Sequence, residues 1–156
     1  MGDMIIRKAE DRDVVSMAEL DKICFAAPWS EDSFRFEVNE NPMALYIVAE
    51  IDGRLAGYAG LWLIVDEGHI TNVAVHPDFR RKHIGQAIIS VLLAAAEEAG
   101  AMSQTLEVRV SNEPAQKLYS KFGFKSAGVR KGYYEDNKED AMIMWRQSDK
   151  ETETEV

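Results

Sequence analysis

Three consecutive cations stand where a predicted helix begins, and this placement indicates an anion site. Arg80, Arg81 and Lys82 follow a strand and precede an apolar helix predicted over Ile84–Ala99. The helix macrodipole disfavours positive charge at its N-terminus, whereas a bound anion is stabilised by the free amides there. Gly85 would let a phosphate approach the backbone because it carries no Cβ. A solvated basic turn explains the same residues, so this segment alone leaves both interpretations open.

Glu107 is a candidate general base. It lies on a strand predicted over Gln104–Val110, on the face opposite Leu106 and Val108. A carboxylate on a strand that is covered on both faces needs a cavity, a water or a partner. A solvent-facing Glu107 paired with Arg109 is the open alternative.

Tyr119 is a candidate proton donor on a helix predicted over Asn112–Phe122. It shares one helix face with Ala115 and Leu118, which are expected to lie in the core. A buried phenol needs a hydrogen-bond partner, so Tyr119 either finds one in the core or serves a cleft as an acid. From the residues alone, an Asn112 that only caps this helix stays an open alternative.

The composition is typical of one globular domain in a reducing compartment. The chain has 156 residues, of which 46% are hydrophobic, and a net charge of −9. This negative charge opposes nucleic-acid binding, and no apolar run has the length of a membrane span. A single cysteine, Cys24, and an N-terminus without a signal pattern predict a cytoplasmic protein. The spacing of His69, His76 and His83 predicts no metal site.

Alternating strand and helix signals predict an α/β fold. Hairpins come first, one of them at Asp52-Gly53, and strand–helix–strand units follow. We expect one domain over residues 1–147, with a mixed, mostly antiparallel central sheet and helices on both faces, and a polar, disordered tail over 148–156. The predicted strands are Met4–Lys8, Met43–Ile51, Leu55–Val65, Ile70–His76, Gln104–Val110, Phe124–Arg130 and Ala141–Arg146. The predicted helices are Asp11–Phe25, a short one capped by Ser30, Ile84–Ala99 and Asn112–Phe122.

Two of these segments resemble motifs of the GNAT acetyltransferases. Arg80 to Gly85 is similar to their acetyl-CoA signature, Arg/Gln-x-x-Gly-x-Gly/Ala. Asn112 to Phe124 is similar to their later motif, Asn-x-x-Ala-x-x-Leu-Tyr-x-x-x-Gly-Phe, with every fixed position present. The resemblance covers about Ile5 to Trp145 and extends to the branch that acetylates the N-terminal alanine of a ribosomal protein. The segments that favour this branch are Cys24-Phe25, Pro28-Trp29-Ser30, Leu106 to Arg109, Tyr133-Tyr134 and Glu139 to Met144.

The resemblance implies a reaction and the residues that carry it. The donor would be acetyl-CoA, Glu107 the general base and Tyr119 the general acid. The acceptor amine would attack the thioester directly, which leaves Cys24 as a small buried apolar residue and not a nucleophile. The residues implied in cofactor binding are Val73, Ala74, Val75, Arg80, Arg81, Lys82, His83, Ile84, Gly85, Gln86 and Asn112.

His83 departs from the family pattern because it replaces the first signature glycine. A histidine there can supply its backbone N–H provided that its φ is negative. Its side chain could also crowd or contact a phosphate, although Gly85 is retained.

The expected acceptor is a protein N-terminus, and the resemblance points to a ribosomal protein. Tyr133 and Tyr134, in a polar loop, and Trp29 are the residues that we expect to bind it. His69 is a weaker candidate for the base than Glu107. The alternatives are a protein lysine or a small cationic amine as acceptor, or an acyl-CoA-binding domain without catalysis.

Overall fold

The computed structural model describes residues 3–80 and 83–148. Within them, the strands are β1 (Met4–Lys8), β2 (Ala44–Ile51), β3 (Arg54–Ile64), β4 (Glu67–Val75), β5 (Ser103–Arg109), β6 (Lys125–Arg130) and β7 (Ala141–Gln147). The α-helices are α1 (Val14–Cys24), α2 (Glu31–Asn39), α3 (Ile84–Glu98) and α4 (Glu113–Ser120). Short 3-10 helices cover Asp11–Asp13 and Pro77–Phe79. No helix in the described ranges is long and apolar enough to cross a membrane.

The described strands form a mixed sheet in the order β1-β2-β3-β4-β5-β7-β6. The β1–β2, β2–β3, β5–β7 and β6–β7 pairs are antiparallel. The β4–β5 pair is parallel, with His69 opposite Thr105. The predicted α/β class with a mixed, mostly antiparallel sheet is confirmed.

The chain divides into two compact units. The first contains Met1–Trp62 and Thr71–Ala95, and the second contains Leu63–Ile70 and Ala96–Val156. In the first unit, apolar side chains of α1, α2, β2, β3 and β4 share one core cluster. Its fully buried members include Met17, Phe34 and Tyr58.

Gly57 allows close packing in the first unit. A Cβ at this position would lie 2.7 Å from the Ala74 carbonyl oxygen and 2.8 Å from Ile88 Cδ1. Real Cβ atoms do not make such contacts, so only glycine lets α3 pack this closely on β3 and β4. The packing fixes the start of α3 near the end of β4.

In the second unit, a buried polar group ties the end of β7 to its neighbours. Arg146 is 6% exposed and donates to the Gln104 and Glu97 side chains at 2.6 and 3.0 Å. Ser148, the first residue of the predicted tail, is 3% exposed, and its hydroxyl donates to the Ala101 carbonyl at 2.7 Å. Residues 149–156 lie outside the described residues, so the boundary of the domain stays a prediction.

Two element boundaries differ from the sequence prediction by more than two residues. β4 begins at Glu67, because the hairpin turn lies at Val65 and Asp66, where Val65 adopts a positive φ of 57°. The first predicted helix divides into the 3-10 helix Asp11–Asp13 and α1. The turn at Asp52 and Gly53 is confirmed, with φ values of 52° and 78°.

Candidate active site

Glu107 lies in the middle of β5 in the second unit. Its strand neighbours Leu106 and Val108 are 2% and 5% exposed, whereas the Glu107 side chain is 26% exposed. Oε2 of Glu107 lies 3.4 Å from Nε of Arg130, so its cationic neighbour is Arg130 of β6 and not Arg109. The carboxylate therefore keeps access to solvent and one weak ion pair.

Two tyrosines of the loop between β6 and β7 lie near Glu107. Burial raises the pKa of the Tyr133 phenol, and the negative charge of Glu107 raises it further. Burial also raises the pKa of Tyr134, to about 12, against the opposing effect of Arg109. The structure thus brings three predicted site residues of this unit together.

Tyr119 extends this group from α4. Its ring meets Phe124 edge-on, with 5.9 Å between the centroids. Burial raises the pKa of Tyr119 to about 12, with a further contribution from nearby Tyr134. Within the described ranges its hydroxyl makes no hydrogen bond. A phenol in this state is protonated at neutral pH and has its proton available to a ligand.

Arg109 organises the loop that carries the two tyrosines, a role that the sequence analysis missed. Its guanidinium lies 3.9 Å from the centroid of the Tyr134 ring. It donates to both carboxylate oxygens of Asp136 at 3.0 Å and to Glu139 at 3.2 Å. Glu139 also accepts from the Ser111 backbone N–H at 2.9 Å. Asp136 and Glu139 are therefore structural ligands of Arg109 and not merely solvated charges.

Replacing Arg109 should change the titration of the loop. The bond from Ser111 lowers the pKa of Glu139 to about 2, and the bond from Arg109 contributes. A depressed carboxyl pKa stabilises the fold above about pH 4.5, the ordinary value, and this contribution is lost as the pH falls towards about 2. In Arg109→Gln we expect the pKa of Glu139 to rise part of the way, because the Ser111 bond persists.

Carboxyl NMR titration of Glu139 in both proteins measures this shift. Arg12→Gln, which alters an exposed pair of the other unit, is the control and should leave the Glu139 titration unchanged. A Glu139 pKa near the ordinary 4.5 in the unmodified protein would contradict the hydrogen bonds from Ser111 and Arg109.

The predicted phosphate site lies in the first unit, at the start of α3. The first intrahelical bond there runs from Ala87 N–H to the His83 carbonyl at 3.1 Å. The helix therefore leaves the amides of its first turn, including that of Gly85, available to an anion. Arg80 is exposed and donates from Nε to the Val75 carbonyl at 3.2 Å. The first-turn amides and the Arg80 side chain fit a pyrophosphate. Arg81 and Lys82, which the sequence analysis also predicted to bind it, lie outside the described residues.

His83 adopts a positive φ of 60°, so the negative φ that the sequence analysis set as a condition for use of its backbone N–H is not met. The histidine takes the left-handed conformation that a glycine would adopt without steric cost.

We expect His83→Gly to raise the melting temperature by about 1–3 °C, because relief of left-handed strain exceeds the added flexibility of the unfolded chain. His76→Gly is the opposite control, since His76 has a φ of −60° and its ring accepts from Asp78 N–H at 3.1 Å. Scanning calorimetry should give a lower melting temperature for that variant. A lower melting temperature for His83→Gly as well would contradict backbone strain at this position.

The remaining predicted residues have clear structural settings. Asn112 caps α4 by accepting from Ala115 N–H at 3.2 Å, and its side-chain NH₂ has no hydrogen-bond partner among the described residues. Burial raises the pKa of Cys24, which keeps it a thiol at neutral pH. Nε2 of His69 lies 3.0 Å from Oε1 of Glu67, in line with a partly exposed structural histidine. In the described ranges, no cluster of three or more metal-ligating side chains occurs.

The comparisons with known proteins decide the family. Residues 14–124 match the acetyltransferase (GNAT) family. The chain belongs to the GNAT acetyltransferase family. It is 45% identical over 140 residues to a Bacillus subtilis protein provisionally named ribosomal protein bS18-alanine N-acetyltransferase, covering 90% of this chain and 93% of the relative.

Two further GNAT comparisons concern Escherichia coli. Its ribosomal protein bS18-alanine N-acetyltransferase is 33% identical over 141 residues, covering 89% of this chain and 94% of the relative. The crystal structure of the E. coli ribosomal-protein-S18-alanine N-acetyltransferase superposes with a TM-score of 0.85 at 32% identity, over 94% of both chains. The chain is therefore an N-acetyltransferase of the acetyl-CoA-dependent GNAT type, similar to the ribosomal protein bS18-alanine N-acetyltransferases.

Proposed function

We propose that this GNAT enzyme transfers an acetyl group from acetyl-CoA to the α-amine of the N-terminal alanine of ribosomal protein bS18. The proposed acceptor rests on the 33% identity to an E. coli enzyme that is named for this reaction, in an alignment that covers 94% of that enzyme. The charge of −9 agrees with a cationic protein partner.

Glu107 is the proposed general base. Its solvent access lets it take a proton from the substrate ammonium, directly or through a water, and among the described residues its pair with Arg130 engages Oε2 alone. The neutral amine then attacks the acetyl carbon. Because transfer is direct, positioning and proton removal supply the rate.

Tyr119 is the proposed general acid. Acetyl-CoA, when bound, supplies the acetyl group on a thioester, and the departing sulfur needs a proton. Tyr119 has a hydroxyl without a protein partner in the described ranges and a pKa raised to about 12 by burial. The phenol therefore keeps its proton at neutral pH and can donate it to the departing sulfur as the C–S bond breaks.

The proposed cofactor contacts divide between two functions. The backbone of Val73, Ala74 and Val75 would hold the pantetheine arm, and Asn112 would hold the reactive end through its side-chain NH₂. The pyrophosphate would lie on the first turn of α3. The residues proposed for it are Arg80, Arg81, Lys82, His83, Ile84, Gly85 and Gln86.

The chemistry of the base favours an α-amine over lysine. An α-amine has a pKa near 8 and a lysine near 10.4, and the gap corresponds to about 3.4 kcal/mol in the cost of deprotonation. A single carboxylate base meets the smaller cost more readily. Tyr133, Tyr134 and Trp29 are the proposed contacts of the acceptor chain.

Coenzyme A release with two matched peptides tests the acceptor. One peptide has a free N-terminal alanine, and the other has a blocked N-terminus and an internal lysine. We expect release with the free alanine alone. Release with only the lysine peptide would overturn the proposed acceptor and leave the family intact.

A further inference from the structure

A cavity in the first unit has the walls of a cation site. It has a volume of about 430 Å³. Its lining residues are Trp29, Asp32, Ser33, Phe36, Glu37 and Trp62. Three aromatic rings and two carboxylates thus face one space. Of these residues, the sequence analysis and the proposed reaction use only Trp29.

Glu37 is a buried carboxylate whose hydrogen bonds come from neutral donors. It lies on α2 and is 5% exposed. It accepts from the Asn41 amide at 2.6 Å, from the Tyr46 hydroxyl at 3.1 Å and from the indole N–H of Trp62. Accepting in all three bonds is the pattern of an ionised carboxylate. Among residues 3–80 and 83–148, no lysine, arginine or histidine pairs with it.

The aromatic walls are held in place before any ligand arrives. The Trp62 indole is fixed by its bond to Glu37. The Trp29 backbone N–H donates to Asp21 at 2.8 Å, and its ring packs on Phe34 with 5.6 Å between centroids. Phe36 is 51% exposed and lies at the accessible side of the cavity. Fixed ring faces attract cations through the ring quadrupole and lose little entropy on binding.

The charge and shape of the cavity select one kind of occupant. An anion would be repelled, and an apolar side chain would leave the Glu37 charge buried without a counter-ion. A guanidinium is planar, stacks on aromatic rings, donates to carboxylates and is weakly hydrated, whereas a lysine ammonium is strongly hydrated. The match is therefore best for arginine.

We propose that this cavity binds an arginine side chain of the acceptor protein, at a position that follows the acetylated N-terminal residue. The inference rests on the proposed function for the identity of the acceptor. It adds a determinant of specificity that is independent of Glu107 and Tyr119. Substrate selection then depends on one charge in the acceptor chain as well as on its N-terminal amine.

Peptide pairs test the site. Each peptide begins with a free alanine and carries one arginine, and the series places this arginine at each following position in turn. The partner of each peptide has citrulline at the same position, which keeps the shape of the side chain and removes its charge. At one position we expect citrulline to lower kcat/KM by about 5- to 30-fold, through KM. Phe36→Ala and Glu37→Gln should abolish this preference and leave the citrulline peptide unaffected.

The controls separate binding from folding. Phe36 is half exposed, so its replacement leaves the fold intact even if Glu37→Gln lowers the melting temperature. Glu19→Gln changes an exposed acid of α1 and should preserve the arginine preference. Equal kcat/KM for arginine and citrulline at every position would overturn the proposal.

A second readout keeps the cavity testable if no peptide is acetylated and the proposed function fails. Fluorescence of Trp29 and Trp62 reports on binding of the same peptides with their N-termini already acetylated. Tighter binding of arginine peptides, lost in Phe36→Ala, would support the site. Equal affinity for arginine and citrulline would exclude it.

Discussion

Glu107→Gln is expected to lower kcat for a peptide with a free N-terminal alanine by about 100- to 10,000-fold, the usual contribution of general base catalysis. The substitution keeps the shape of the side chain and removes its ability to accept a proton. The affinity for acetyl-CoA should change little, because Glu107 is not among the proposed cofactor contacts. Steady-state kinetics and calorimetric titration with acetyl-CoA measure the two effects.

The pH dependence distinguishes a lost base from a disturbed fold. As the pH rises towards the pKa of an α-amine, near 8, more of the substrate is already neutral, so the deficit of Glu107→Gln should shrink. Glu98→Gln, at an exposed position of α3, is the matched control and should retain full activity at every pH. A deficit that is the same across the pH range would argue against a role in proton removal.

Tyr119→Phe is expected to lower kcat by about 100-fold or more, because the departing thiolate loses its proton donor. The melting temperature should stay the same, since the hydroxyl makes no hydrogen bond in the described part of the chain. With the pKa of Tyr119 raised to about 12 by burial, the unmodified enzyme should show no loss of this acid below about pH 11. Kinetics and thermal unfolding of the variant test these points together.

Tyr133→Phe provides the comparison for Tyr119→Phe. Tyr133 is 47% exposed and is a proposed acceptor contact, so its replacement should act on KM and not on kcat. Equal kcat losses for the two variants would contradict the assignment of the acid to Tyr119. Unchanged kcat in Tyr119→Phe would do the same.

Local patterns predicted the features of this protein that depend on nearby residues. The Asp52 and Gly53 turn, the Ser30 cap of α2 and the helix stop at Gly100 follow from the chemistry of single residues or dipeptides. The motif around Asn112 placed Tyr119 on a helix for the same reason. The catalytic roles of Glu107 and Tyr119 came from the resemblance to GNAT enzymes, because the spacing of residues alone does not indicate them.

Features that depend on contacts between distant residues were not predicted. Arg109 bonds to Asp136, 27 positions along the chain, and the bond from Trp62 to Glu37 spans 25 positions. Periodicity reports the face of an element and not its partner across the fold. The positive φ of His83 was also missed, because sequence propensities favour negative φ for any residue other than glycine.

The acetylation site on full-length bS18 is the most direct test of the central claim. The protein, with a free N-terminal alanine, is incubated with acetyl-CoA and the enzyme, and the product is mapped by peptide mass spectrometry. We predict one acetyl group, on the α-amine of the alanine, and none with Glu107→Gln. Acetyl groups on lysine side chains with an unmodified N-terminus would contradict the account.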